Sequence, residues 1–581
     1  MKYTSIAFKI FPIFLIAFSL FLYLYKMNSF PPSLFSDEAD ANYQAFVFNN
    51  RGTDYFGNKL PIHFHSYSDW RTSLYIYSIA IVQRFIGHVD LAARLPAAIF
   101  GVLSVFVYFL ILKNLYKNPI WAMIGSFLFS ITPWLFHYSR VGFEATGMLL
   151  FLLLGFYFWI KFINQKNDKF LISSAISFVL TIYFYSTAKL FLFFIAIIFL
   201  ILWFKTIINI SLKTKIILFL IGLITLFPFL SDTLKGRSGY RFSYINIFSD
   251  PTVSKTVDYL RYDDSVMVSG QQIGLKPMLI SKIFHNKLAQ WSEMFIKNYF
   301  SAFSTEFLFL KGDGNLRQGI QTAGNLLFPD LLLIIIGISS IFYKKSSNCK
   351  FYLFFLISLI CAPIPFALTR DSAFPHATRL ILMLPFLSIF SLLGLKQIFE
   401  ITKSKIIISL ILFLYILCFG RFSHQYYFHY PNISAKEWHY GMKEAVLKIK
   451  DTNYSKIYFI NSYEPFTPFF LNYSEYLPSN KNISPAASLI SDNNQFFNGM
   501  QTENKYYLGN IEWSILFNNL PSNSLFVIPD RDLIKVQNSL HNYNKKHSTK
   551  IKFNQIDKVN KKYTEQEEFY LVNFDFLEKT K

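Results

Sequence analysis

The apolar runs of this chain are too long and too numerous for a water-soluble core. Eleven can be counted, near residues 6–25, 92–112, 119–136, 144–163, 169–185, 188–206, 215–231, 326–343, 351–368, 379–396 and 404–420. A helix rises about 1.5 Å per residue, so roughly 20 apolar residues cross a hydrocarbon layer about 30 Å thick. Within that layer a single run can satisfy its own backbone N–H and C=O groups only as a helix. The runs therefore predict a mostly α polytopic membrane protein with about eleven transmembrane helices. Composition agrees: 53% of the 581 residues are hydrophobic, 68 are Phe, only 16% are charged, and mean hydropathy is +0.32. A soluble enzyme, a disordered chain and a fibrous chain are excluded on these values.

The run 6–25 follows Lys2 and Lys9 and is too long for a signal-peptide core, so it reads as an uncleaved first helix. Residues 73–87 are interrupted by Gln83 and Arg84 and are too short to span; they predict a helix lying along the membrane surface. Charge tests this parity, because Lys and Arg collect on the cytoplasmic side. With 73–87 not crossing, the short inner segments hold sixteen cations: Lys2, Lys9, Lys113, Lys117, Lys161, Lys166, Lys169, Lys205, Lys213, Lys215, Lys344, Lys345, Lys350, Lys396, Lys403 and Lys405. The short outer loops hold four, Arg140, Lys189, Arg370 and Arg379. Letting 73–87 cross would reverse that bias.

Two domains follow: a membrane domain over 1–420, with outer segments 26–92 and 231–325, and a soluble extracytoplasmic α/β domain over 421–581. In the tail, Ser434 is expected to cap a helix running to Lys450. Strands are expected at 456–460, 524–529, 551–556 and 568–575, and a helix over 533–543 behind Asp530 or Asp532. The net charge of +21 is explained by inner loops and anionic lipid, and no nucleic-acid motif is present. Cys349, Cys361 and Cys418 are scattered, which excludes a disulfide framework and a cysteine zinc site.

Four outer segments carry polar groups fit for chemistry. Ser36-Asp37-Glu38-Ala39-Asp40 places acids just beyond the first span, where a carboxylate can act as a general base or hold a divalent cation; a helix start also favours acids. Arg51-Gly52-Thr53-Asp54-Tyr55-Phe56-Gly57-Asn58-Lys59-Leu60-Pro61 reads as a turn presenting the cation Lys59. His63 and His65 follow on one face of an extended segment, a weak metal pair without a third ligand. Ser139-Arg140-Val141-Gly142-Phe143-Glu144 opens a membrane helix with an acid, for which Arg140 is the obvious partner. Thr369 to Arg379 includes Asp371 and His376, and sets Arg379 at a helix entrance suited to a phosphate. The nearby Lys311-Gly312-Asp313-Gly314-Asn315-Leu316-Arg317 is Gly-rich but lacks the ending of a P-loop.

The order of these features resembles the GT-C membrane glycosyltransferases, in particular the protein O-mannosyltransferase and aminoarabinose-lipid A transferase branch. The features are an uncleaved first helix, the Asp37-Glu38 pair, the turn Gly52 to Pro61, Leu74-Tyr75-Ile76-Tyr77 in the surface helix, Ala92-Ala93-Arg94-Leu95-Pro96-Ala97, and Ser139 to Glu144. The resemblance is strong over about residues 1–165, weaker to 420 and absent in the tail. It implies an inverting transfer from a polyprenyl-phosphate-linked sugar to a hydroxyl of a protein, lipid or glycan acceptor on the outer face. It implies Asp37 as base, with Glu38 and Glu144 as the further catalytic acids. Lys59 falls near the donor phosphate, with Arg94, Arg140, His376 and Arg379 as further substrate-binding candidates. Metal use varies in the superfamily and the residues here do not decide it. An oligosaccharide or polymer ligase on the same scaffold is the nearest alternative. A transporter is disfavoured because the acids sit at helix ends and no repeat is visible. The mechanism requires carboxylates from separate stretches to serve one outward-facing site.

Overall fold

A computed structural model describes residues 2–67, 69–237, 239–269, 278–343, 348–370, 374–450, 452–461, 464–547, 549–560 and 567–579. Lys344, Lys345 and Asp371 lie outside the described residues. All eleven apolar runs form helices. Among the described residues, seven helices are long and apolar enough to cross a membrane: Asp90–Leu115, Ala145–Gln165, Ala188–Ile208, Leu212–Leu234, Cys349–Ala367, Ala377–Thr402 and Lys405–Ser434. Four apolar helices among the described residues are shorter, Phe8–Leu24, Ser73–Ile86, Pro119–Ser130 and Asp330–Tyr343. Three of these are the runs at 6–25, 119–136 and 326–343. The fourth is the segment expected to lie along the surface. The remaining run, 169–185, forms the 17-residue helix Asp168–Phe184. The run at 119–136 is cut short because Pro133 has no N–H to continue the ladder; a six-residue helix, Pro133–Tyr138, follows the break.

The chain divides into two compact units. One comprises Met1–Tyr25, Tyr67–Tyr75 and Ala97–Tyr426; the other comprises Lys26–Ser66, Ile76–Pro96 and Tyr427–Lys581. The boundary differs from the one read from sequence, because most of the first loop clusters with the tail.

The membrane unit shows how a chain so rich in Phe packs. Lipid gives no hydrophobic drive between helices, so close backbone approach and ring contacts must hold them. Asp330–Tyr343 and Leu384–Thr402 touch through two glycines. A Cβ at Gly337 would lie 1.9 Å from the Phe390 carbonyl oxygen, and one at Gly394 would lie 2.0 Å from that of Leu333. Asp330 is buried in this helix cluster and accepts hydrogen bonds from Ser391 and Tyr415. Elsewhere Trp159 stacks on Phe199 at 3.8 Å and Phe199 on Phe354 at 5.0 Å.

The second unit is built on a seven-stranded mixed sheet. Its order is Ile490–Asn493, Phe497–Thr502, Tyr506–Ile511, Lys456–Ile460, Ser524–Pro529, Glu567–Lys579, Thr549–Asn560. Lys456–Ile460 runs parallel to both neighbours, and the remaining pairings are antiparallel. Alternation sorts side chains to two faces. Tyr458, Phe526, Ile528 and Val572 pack with Trp513, Val536 and Leu540. Ile457, Phe459, Leu525, Val527 and Leu571 pack with Val446, Phe470 and, from the first loop, Ala39, Tyr43 and Val47 of helix Ser36–Arg51. The first loop and the tail thus share one core.

The tail strands at 456–460 and 524–529 fall where expected, and 551–556 and 568–575 lie inside longer strands. The helix behind Asp530 runs over Asp530–His547. The expected cap at Ser434 is corrected. Its hydroxyl donates back to the Tyr430 carbonyl at 2.7 Å, and the next helix, Met442–Ile449, starts after Gly441 at φ 94°. Ser434 therefore ends one helix and does not start another.

Candidate active site

The acidic helix Ser36–Arg51 sorts its first-turn carboxylates by burial. Glu38 is fully buried and Asp37 is half-buried. Glu38 meets Arg94 side-on: Nε donates to Oε1 and Nη2 to Oε2, each at 2.9 Å. The remaining Arg94 N–H groups go to the carbonyls of Met27 at 3.3 Å, Pro31 at 3.0 Å and Ser33. Glu38 Oε2 also accepts the Phe35 N–H at 3.3 Å. A guanidinium has five N–H donors, and all five are spent within the protein. Arg94 therefore has no donor left for a phosphate, which corrects its place among the substrate-binding candidates. Glu38 likewise has both oxygens committed. Asp40 is buried and accepts from the Tyr55 hydroxyl at 3.0 Å.

The turn after this helix is organised by the acid of the Gly52 to Pro61 segment, a residue to which its sequence context assigned no role. Gly52 ends the helix at φ 68° and Gly57 sits at φ 94°, conformations that favour glycine. Between them Asp54 is fully buried. Its Oδ1 accepts N–H groups of Phe56 at 3.0 Å and Asn58 at 2.8 Å; its Oδ2 accepts Asn58 Nδ2 at 2.8 Å and the His65 N–H at 3.2 Å. The motif is a rigid loop whose product is presentation: Lys59 is exposed, beside Leu60 at φ 42°. His63 is buried and His65 packs on Phe56 at 3.8 Å. Among the described residues no three His, Cys, Asp or Glu side chains gather to hold a metal, so the pair gains no third ligand.

In the membrane unit, Glu144 occupies the N-cap position of Ala145–Gln165 and is half-buried. Arg140 is fully buried. Its Nη1 donates to the Leu22 and Tyr23 carbonyls at 3.2 and 3.0 Å, and its guanidinium lies over Phe136 and Tyr426. It thus satisfies carbonyls left over at the C-terminus of the first helix. Arg379 is also buried and donates to Thr369 Oγ1 at 2.9 Å, while His376 is half-buried before the short helix Ala377–Leu380.

A polar network ties these loops together. Asp313 accepts the Ala377 N–H at 2.7 Å and the Asn315 N–H at 2.8 Å. Burial pushes its carboxyl up to about 6, against the lowering effect of those two N–H groups and of Arg379. The Tyr138 hydroxyl donates to Gln318 Oε1 at 2.6 Å and bonds Thr378 Oγ1 at 2.8 Å. His137 Nε2 meets the Arg317 carbonyl at 2.8 Å, so this nitrogen carries the proton. Only the acid between two glycines, Gly312-Asp313-Gly314, hinted at this role in the sequence. Of the nominated residues, Asp37, Glu38, Lys59, Arg94, His63 and His65 fall in one unit, and Glu144, Arg140, His376 and Arg379 in the other.

Residues 71–231 match the dolichyl-phosphate-mannose-protein mannosyltransferase family. The chain is similar over 96% of its length, and 97% of the other, to the crystal structure of ArnT from Cupriavidus metallidurans bound to undecaprenyl phosphate, with TM-score 0.51 and 9% identity. The apo structure of the same protein is matched over the same shares at TM-score 0.51 and 8% identity. The archaeal oligosaccharyltransferase AglB from Archaeoglobus fulgidus is matched over 82% of this chain and 64% of that one, at TM-score 0.43 and 12% identity. No curated protein matches the sequence.

Proposed function

We propose that this chain, an integral membrane protein with the GT-C fold of the membrane glycosyltransferases, is an inverting transferase using a polyprenyl-phosphate-linked sugar at the outer membrane face. The observation that carries the reading is the division of labour between adjacent acids. Glu38 is sealed into Arg94, while Asp37 stays half-buried at the start of a helix held on both sides. A base must meet water-borne acceptor and keep a fixed position, and Asp37 combines the two. The family match over 71–231 and the undecaprenyl phosphate bound by ArnT support the donor class.

In the reaction the acceptor oxygen attacks the anomeric carbon as Asp37 takes its proton. The bond from that carbon to the phosphate oxygen breaks, and polyprenyl phosphate leaves with the electron pair. Phosphate is a good leaving group, so cations that neutralise it suffice in place of a general acid. Lys59, exposed and made rigid by the Asp54 turn, is assigned to that charge. Glu144 is the second acid, presented at a helix start. Glu38 and Arg94 hold the first loop in shape, and no step is routed through a metal.

The test uses membranes containing the full chain and radiolabelled polyprenyl-phosphate sugars. Label should reach a membrane or protein acceptor with wild type, and Asp37→Asn should abolish transfer at equal expression. Undiminished transfer by Asp37→Asn would remove the assigned base.

A further inference from the structure

The acidic helix starts without a side-chain acceptor in its N-cap position. Its N-cap residue is Phe35, whose ring cannot accept a backbone N–H, so the first-turn donors need partners from elsewhere. The Ser36 N–H finds one 403 positions away: it donates to Nδ1 of His439 at 3.1 Å. A backbone N–H only donates, so Nδ1 is the unprotonated nitrogen and the ring proton sits on Nε2. That Nε2 faces Glu464 Oε1 at 3.9 Å. His439 is buried and holds φ 50°, a left-handed conformation rare for histidine.

The residue before it grips the same turn. The Trp438 ring stands edge-on to Phe35 at 5.5 Å and lies under the Arg94 guanidinium at 5.4 Å. Its Nε1 donates to the Tyr430 hydroxyl at 2.7 Å, which fixes its orientation. Phe35, Ser36 and Glu38 are therefore each held by Trp438, His439 or Arg94, and Asp37 is the residue between them.

We infer that His439 is a positioning residue for Asp37, and that the segment 430–439 of the tail completes the active site. The inference rests on the reading of Asp37 as base. It gives the tail a direct role in turnover, through the position of one helix start.

Two amide side chains separate this from a general structural role. Asn places Oδ1 the same number of bonds from the backbone as Nδ1, and it tolerates left-handed φ. Gln places its oxygen one bond further, like Nε2. With the purified full chain and a radiolabelled polyprenyl-phosphate sugar, His439→Asn should stay within about threefold of wild-type kcat. His439→Gln should lose about tenfold or more, since a misplacement near 1 Å is that costly. KM for the donor should be unchanged in both. Hydrogen exchange across residues 36–39 should be slow in wild type and His439→Asn, and fast in His439→Gln. Equal kcat for the two variants, or a change confined to KM, would overturn the inference. Activity retained by Asp37→Asn would instead overturn the base reading, so the two failures are distinguishable.

Discussion

Arg94→Leu should severely destabilise the first loop, which Arg94 holds from the start of the helix Asp90–Leu115. The substitution leaves the Glu38 carboxylate fully buried without its cation, and breaking a buried pair in this way costs about 3–5 kcal/mol. It also strips donors from the Met27, Pro31 and Ser33 carbonyls, each roughly 1–3 kcal/mol if water cannot replace them. These terms overlap, so about 5 kcal/mol is a fair total, against about 5–15 kcal/mol for a whole domain. Lys at this position keeps the charge but lacks the planar fork, and cannot bridge Glu38 and three carbonyls at once. Glu38→Gln is milder. One amide oxygen still accepts from Arg94, and the loss is about 1.5–3 kcal/mol. The assay is thermal inactivation and protease resistance of the purified full chain in nanodiscs, with transfer activity read alongside. Arg94→Leu should cleave rapidly between residues 26 and 35 and lose activity with stability. Glu38→Gln should retain measurable transfer where Asp37→Asn retains none. An Arg94→Leu protein as heat-stable as wild type, or a Glu38→Gln protein as dead as Asp37→Asn, would refute the division of labour between these acids.

Three further outcomes are expected. Gly394→Ala should push a pair of membrane helices apart, because its Cβ would fall 2.0 Å from a backbone oxygen, while Gly420→Ala meets nothing within 4 Å; folded yield by size-exclusion chromatography should drop for the first alone. Asp313 has its folded-state carboxyl value raised to about 6, so its contribution to stability is full below the unfolded value and is lost as pH climbs through about 6. Wild type should therefore gain up to about 3 kcal/mol relative to Asp313→Asn between pH 7.5 and pH 4, a change seen in melting curves as a pH slope that the variant lacks. Lys59→Ala should raise KM for the donor several-fold with melting temperature unchanged, since Lys59 is exposed, and Lys59→Arg should restore it; an unchanged KM would remove Lys59 from the donor site.

The membrane helices were legible because hydropathy is a local property: each run states its own solvent. The acids of the first loop were legible for the same reason, as charges in a chain that avoids them. What local reading could not supply was which acid is sealed, because the sealing group, Arg94, lies 56 positions away and answers to carbonyls at 27–33. Three arginines looked alike as substrate-binding candidates, two of them for a phosphate. Arg94, Arg140 and Arg379 are all buried, and each serves loop or helix-end oxygens, a use that sequence position does not distinguish. The strands Ile490–Asn493 and Phe497–Thr502 escaped notice because they are polar on both faces, with few inward side chains to set a period of two.

One signal was present and negative. An acidic first turn at Asp37-Glu38 announces a helix start, yet the residue in the cap position is Phe35, with Ser33 two positions too early. A helix start whose cap residue offers no side-chain acceptor can borrow one from another polar segment of the chain. The lender here is His439, in a tail that resembled nothing in sequence. An apolar residue in the cap position beside the proposed base is thus informative. On the proposed reading of Asp37 as base, a distant segment helps to set its position, and removing the tail should move it.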